Sequence, residues 1–133
     1  MQRNEQMLQE AIFRWAKLQT VIYPELELLH HIPNGGRRNL FEAFKLKRMG
    51  VKAGIPDIHL PVSCGKYNSL WIELKSHKGK TTENQLKMLK LLSDYGNFVC
   101  VIHDVESAIC TIKAYLEKDF IALQKKTLDN ILK

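Results

Sequence analysis

No apolar run in the 133 residues approaches the roughly 18–20 needed to cross a bilayer, so a helical membrane span is not expected. The three cysteines, Cys64, Cys100 and Cys110, are an odd number and form no CxxC pair. That argues against a disulfide framework or a cysteine-based zinc site and for a reducing compartment. All three are expected as buried small hydrophobes. The five histidines form no H-x₃-H pair. Met1–Gln6 has no apolar stretch followed by a small-residue cleavage site, so a cytoplasmic protein is expected. Internal repeats, low-complexity tracts and Pro/Ser-rich linkers are absent too, which leaves one domain over 1–133, with 118–133 as a C-terminal helical extension. With 45% hydrophobic and 26% charged residues, wholesale disorder is excluded.

What is present is positive charge, unevenly placed. The net is +6, but between His30 and Lys90 stand 12 basic residues and only 4 acids, Glu42, Asp57, Glu73 and Glu83. The rest of the chain is slightly acidic. A basic block of this kind is the electrostatic footprint of phosphate-backbone binding, or else a solvated lysine-rich surface.

Periodicity gives the elements. Residues 5–19 carry Leu8, Ile12, Trp15 and Ala16 at helical spacing, with Asn4 as an N-cap. After Pro24, residues 26–32 alternate as a strand, and Pro33-Asn34-Gly35-Gly36 is a turn or loop. Residues 39–49 predict a short helix with Leu40, Phe41, Phe44 and Leu46, closed by Gly50. A strand lies within 55–62. In the next, 69–75, Leu70, Ile72 and Leu74 share one face, and Trp71, Glu73 and Lys75 the other. Thr82 and Gln85 make a capping box for a helix running to about Tyr95. Residues 98–102 are a buried strand and 106–116 a helix; Phe120, Leu123, Leu128, Ile131 and Leu132 keep the tail from being free. The order predicts a mixed α/β layered domain.

The chemistry centres on Pro56-Asp57 and Glu73-Leu74-Lys75. Period two sets Glu73 and Lys75 on one strand face, about 7 Å apart. If the two strands are antiparallel neighbours, Asp57 lies beside Glu73, and two carboxylates so close repel unless a cation stands between them. Hard oxygen ligands favour Mg²⁺ or Mn²⁺. Lys75 in the same pocket could orient an attacking water, help deprotonate it, or neutralise charge growing on a phosphate. The competing reading makes Asp57, Glu73 and Lys75 structural ion pairs on a solvated strand. Asp57 between Pro56 and Ile58, and Glu73 among Leu70, Trp71, Ile72 and Leu74, favour the site, because a carboxylate in apolar surroundings needs a reason.

The stretch Ala53-Gly54-Ile55-Pro56-Asp57, then Leu70-Trp71-Ile72-Glu73-Leu74-Lys75-Ser76, then Thr82-Glu83-Asn84-Gln85, resembles the VRR-NUC domain, a branch of the PD-(D/E)XK nuclease superfamily. His31-Ile32-Pro33-Asn34-Gly35-Gly36 is similar to the Asn-Gly-Gly loop of stand-alone, phage-type members. The resemblance implies a restriction-endonuclease-like core, a mixed central sheet of about four strands flanked by helices. It implies metal-dependent DNA cleavage with a preference for branched or Holliday-junction-like DNA, and a homodimer. Residue by residue, it makes Asp57 and Glu73 the metal-binding acids, the Leu74 carbonyl a further ligand, Lys75 the motif lysine and Gln85 a glutamine near the active site. It also places an acid on the first helix. Glu5 shares a face with Leu8, Gln9 and Ile12 and is preferred; Glu10 lies on the other side and remains the alternative. A charge that merely favours the helix macrodipole would account for Glu5 equally well.

Around this centre, Asn34, Gly35, Gly36, Arg37, Arg38 and Lys52, with His77, Lys78 and Lys80 after the catalytic strand, are the expected DNA contacts. Arg37, Arg38, Lys45, Lys47, Arg48 and Lys52 could track a backbone, some of them being merely solvent-facing. His59 shares a strand face with Asp57, at the pocket edge or as a partly buried polar residue. Trp15 and Trp71 are expected in the core. A nucleic-acid-binding module without catalysis is the alternative function, and a small interaction domain a third.

Overall fold

The computed structural model describes residues 3–33 and 39–127. The expected Asn34–Arg38 DNA contacts and the apolar end of the tail, Leu128, Ile131 and Leu132, lie outside them.

Four strands form one sheet in chain order: β1 (His30–His31), β2 (Ile58–Leu60), β3 (Leu70–Leu74) and β4 (Phe98–Ile102). The first two pairings are antiparallel and β3–β4 is parallel. The parallel pair is joined through α3 (Glu83–Asp94), the crossover that a parallel connection requires. The expected capping box is present at its start: the Thr82 hydroxyl accepts from Gln85 N–H, and Gln85 Oε1 accepts from Thr82 N–H at 2.8 Å.

Alternation sorts the sheet into two faces. Ile58, Leu60, Leu70, Ile72, Leu74 and Cys100 point into the main core against α1 (Arg3–Gln19) and α4 (Val105–Leu116), which supply Leu8, Ile12, Ala108 and Ile112. The other face carries Trp71, Val99 and Val101 against Leu89 of α3. This is the mixed four-stranded sheet flanked by helices that the sequence predicts. A short α5 (Phe120–Gln124) anchors the tail through the fully buried Leu123.

Three expectations are corrected. Residues 26–32 are not one strand: Pro24–Leu28 is a 3₁₀ helix, and only His30–His31 pair in the sheet. Pro24 opens that turn, and Leu26 and Leu29, three apart, are both buried, a spacing that suits 3₁₀ winding and not a two-residue repeat. Asn4, expected as the N-cap of the first helix, lies inside α1. Helix α2 (Leu40–Arg48) forms where expected, capped by Asn39 on Glu42 N–H, and buries none of its residues. Cys64 and Cys100 are buried, whereas Cys110 is exposed on α4.

Candidate active site

The distinctive geometry lies where β2 begins and β3 ends. The β2–β3 ladder starts at the Ile58–Ile72 pair, so beyond Ile72 the edge of β3 that faced β2 has no strand partner. Strand alternation turns Leu74 and Ser76 toward this open edge, since the intervening Lys75 N–H donates to Ile102 O on β4 at 3.0 Å. Two carboxylates take the vacant donors. Asp57 Oδ2 accepts from Leu74 N–H at 2.8 Å, and Glu5 Oε1 from Ser76 N–H at 3.3 Å. The carbonyl of Leu74 shares the same edge, between the two N–H groups that the acids grip.

Glu73 and Lys75 stand on the face of β3 beside this edge. They are 2% and 8% exposed, and Lys75 Nζ lies 3.5 Å from Glu73 Oε1. Burial pushes the Glu73 carboxyl up to about 8, Asp57 pushes in the same direction, and Lys75 pulls back; Glu5 adds a further upward push. Asp57 is raised as well, chiefly by burial, against the lowering hydrogen bond from Leu74. Glu5, Asp57 and Glu73 therefore share one electrostatic site, with a single buried cation among them. Among the described residues, no three His, Cys, Asp or Glu side chains are grouped so that they could hold a metal ion between them.

The local sequence explains how Asp57 gets there. Gly54 has φ +86°, and a Cβ on it would stand 2.6 Å from the carbonyl oxygen of Asn84. Only glycine lets the chain run this tightly across the start of α3 before buried Pro56 leads into Asp57. Gln85 sits at that same helix start, half-buried, with its Oε1 committed to the cap and its amide nitrogen left as a donor. Of the two first-helix acids, Glu5 is the one brought to β3. Glu10 is exposed and accepts from Gln6 at 3.1 Å.

After β3 the chain turns at Ser76–Gly79, closed by a Gly79 N–H to Ser76 O bond of 2.9 Å, and holds His77 and Lys78 exposed beside the acids; Lys80 follows, also exposed. Lys52 is exposed on the segment leading from α2 to Gly54. His59 stacks on Trp71 with ring centroids 3.8 Å apart and meets His30 edge-on at 5.1 Å. Burial, aided by His30, lowers its ring to about 4, so it is neutral at ordinary pH. Trp71 is only partly buried and its indole N–H has no partner, so the core reading holds for it only in part.

One neighbour of the site, His31, enters the sequence-based reading only as the start of the Asn-Gly-Gly stretch, with no role of its own. His31 Nδ1 lies 2.7 Å from the carbonyl oxygen of Asp57, which also accepts from Ile32 N–H at 2.8 Å. A carbonyl only accepts, so Nδ1 carries the proton, and the ring clamps the backbone that presents Asp57. Its signal in the sequence was slight, because the contact depends on the His31–Ile58 register between strands 27 residues apart.

The mixed four-stranded sheet flanked by helices makes this an α/β domain, with carboxylates and one buried lysine gathered at the open edge of β3. The comparisons give that class its family. The family model of the VRR-NUC domain matches residues 2–106. A solved structure titled "VRR_NUC domain protein" is similar at 30% identity and a TM-score of 0.75, over 88% of this chain and 91% of that one. None of the curated proteins matches the chain. The chain belongs to the VRR-NUC domain family, a nuclease-type family.

Proposed function

We propose that this protein is a Mg²⁺- or Mn²⁺-dependent endodeoxyribonuclease that hydrolyses phosphodiester bonds in branched or Holliday-junction-like DNA and acts as a homodimer. The observation that carries the reading is the gathering of Glu5, Asp57, Glu73 and Lys75 at the open end of β3, the last three from the most basic part of the chain. The donor set is all oxygen; its carboxyls are raised chiefly by burial, Glu73 further by Asp57 and Glu5, and Asp57 further by Glu5, which fits a hard divalent cation that would offset both costs. Asp57, Glu73 and the Leu74 carbonyl would be the ligands, with Glu5 beside them on the same open edge. A bound ion supplies Lewis-acid charge at the phosphodiester.

The chain's own groups do the rest. Lys75, held by Glu73, presents its ammonium where negative charge grows on the phosphate. The Gln85 amide nitrogen would orient a water or a phosphate oxygen. His77, Lys78, Lys80 and Lys52 are exposed for backbone phosphates, and two copies would offer two such sites to two strands. Among the described residues no helix is long and apolar enough to cross a membrane.

The test is cleavage of four-way junction, flap and plain duplex DNA with Mg²⁺, Mn²⁺ or EDTA. Cutting is expected only with metal. Asp57→Asn, Glu73→Gln and Lys75→Ala are each expected to lose about 10²–10³-fold in rate. Salt-sensitive binding without cutting in either metal would reduce the protein to a binding module and overturn the proposal.

A further inference from the structure

Helix α2 is the anomaly of the fold. Its Leu40, Phe41 and Phe44 are 78%, 82% and 64% exposed, although the chain has ample core elsewhere. Only Leu46 is half-buried, and with Ala43 it lines a groove of 560 Å³ against Val51 and Gly54. That fixes which side of α2 is inward. At 3.6 residues per turn, Leu40, Phe44, Arg48, Phe41 and Lys45 fall together on the outward arc of about 160°, with Lys47 at its rim beside the groove. Lys45 and Arg48 are thus interleaved with two phenyl rings and a leucine on one solvent face, with Lys47 at one rim and Glu42 at the other.

This mixture selects among occupants. A twofold self-contact through the face would set Lys45, Lys47 and Arg48 against their own copies with only Glu42 at the rim to answer them, a net like-charge juxtaposition. A polyanion answers all three, and phenyl rings add to it only where the polyanion offers unpaired, stackable bases. An intact duplex keeps its bases stacked inside; a branch point does not. We infer that the outward face of α2 is a second DNA-contacting surface. Lys45, Lys47 and Arg48 would hold phosphates while Phe41 and Phe44 stack on unpaired bases at a junction, which would make α2 the source of preference for branched over plain DNA. The inference rests on the nuclease reading for its choice of polyanion.

The test is equilibrium binding of the full chain, by fluorescence anisotropy in Ca²⁺, to a four-way junction, a gapped duplex and an intact duplex. Phe41→Ala and Phe44→Ala are each expected to weaken junction and gapped binding about tenfold and leave duplex binding nearly unchanged. Phe41→Leu and Phe44→Leu, equally apolar but without a π face, should restore little. The variant Lys45→Gln/Lys47→Gln/Arg48→Gln should weaken all three ligands and flatten the salt dependence by about 2–3 in log–log slope. All these side chains are exposed, and unchanged thermal melting confirms folding. Junction binding that ignores both phenylalanines overturns the inference. So does a sedimentation result in which Phe41→Ala/Phe44→Ala splits a dimer while the junction-to-duplex ratio stays fixed, since the face is then an interface between copies. In either case metal-dependent cutting by the wild type survives, whereas wild type that binds no DNA removes the nuclease reading itself.

Discussion

Helix α2 and the open end of β3 both mix charge with large apolar side chains, and they treat the mixture in opposite ways. At β3 the charges are inside. Glu73 and Lys75 are almost wholly buried above Ile72 and Leu74, and every charge has a named neighbour. On α2 the apolar groups are outside, with phenyl rings in water between lysines. The first arrangement costs folding energy, because desolvating carboxylates is unfavourable and one lysine does not cancel them. The second forgoes energy, because burying those rings would have stabilised the fold. A chain that does both at once, within residues 40–75, is arranged for something beyond its own stability.

The comparison breaks most readily at the hinge between the two regions. Gly54→Ala puts a Cβ into the Asn84 carbonyl at a left-handed φ, so strain and overlap act together. The expected loss is about 3 kcal/mol in denaturant unfolding, with cleavage lost as Asp57 shifts. A variant of unchanged stability would show that the passage across α3 tolerates a side chain and that Asp57 is not held by it.

A smaller effect distinguishes a buried acid site from an exposed one. Unfolded, Glu73 ionises near 4.5; folded, near 8. Between these values the unfolded chain has released a proton that the folded chain keeps, so raising the pH favours unfolding. The stability contributed by protonated Glu73 is full below 4.5 and is lost as pH rises through 8, and Asp57, also raised, acts in the same sense. Metal-free protein should lose about 2 kcal/mol from pH 6 to pH 8.5, and Glu73→Gln should remove most of that slope. Mg²⁺, which competes with the proton, should raise the melting temperature more at the higher pH. A flat profile would mean that the acids are solvated and the contrast with α2 is false.

How much of this was legible beforehand differs between the regions for the same physical reason. Residues 69–75 and 98–102 alternate or run apolar because both strands are buried, and Thr82 with Gln85 announces its cap locally, so β3, β4 and α3 are readable by period and motif. Glu5 was separable from Glu10 by the helix face it shares with Leu8 and Ile12. Long-range register was not readable. The 3₁₀ turn at Pro24–Leu28 leaves only two residues for β1, and the clamp of His31 on Asp57 follows from that pairing alone. Nor could the pattern of α2 tell a buried stripe from an exposed one, since the spacing of Leu40, Phe41 and Phe44 is the same in either case. Cys110 failed likewise, because a small hydrophobe on α4 carries no mark of which side it faces.

His31→Ala tests the clamp. It removes the ring donor from the Asp57 carbonyl, which keeps the Ile32 N–H, so the fold should hold. Metal affinity and kcat should fall about tenfold with KM for DNA little changed, as for other groups that orient a ligand-bearing residue. His31→Gln, which retains a donor, should recover part of the loss. An equal fall in binding to all DNA would instead make His31 a substrate contact.

The smallest expected effect is the sharpest on the comparison. Phe44→Ala removes a whole phenyl ring, and at a core position such a change costs about 3–5 kcal/mol. With 64% of Phe44 exposed and no α2 residue buried, little apolar surface leaves water on folding, and the expected change in unfolding free energy is within about 0.5 kcal/mol. Paired denaturant melts of Phe44→Ala and of Leu74→Ala, whose side chain is fully buried beneath the acids, measure the difference directly. A near-silent Phe44→Ala beside a heavily destabilised Leu74→Ala would show that the ring contributes nothing to the fold that carries it, so that its use must lie with whatever covers α2. A large loss at Phe44 would show the ring packed in solution and would take away the surface on which the second contact with DNA depends.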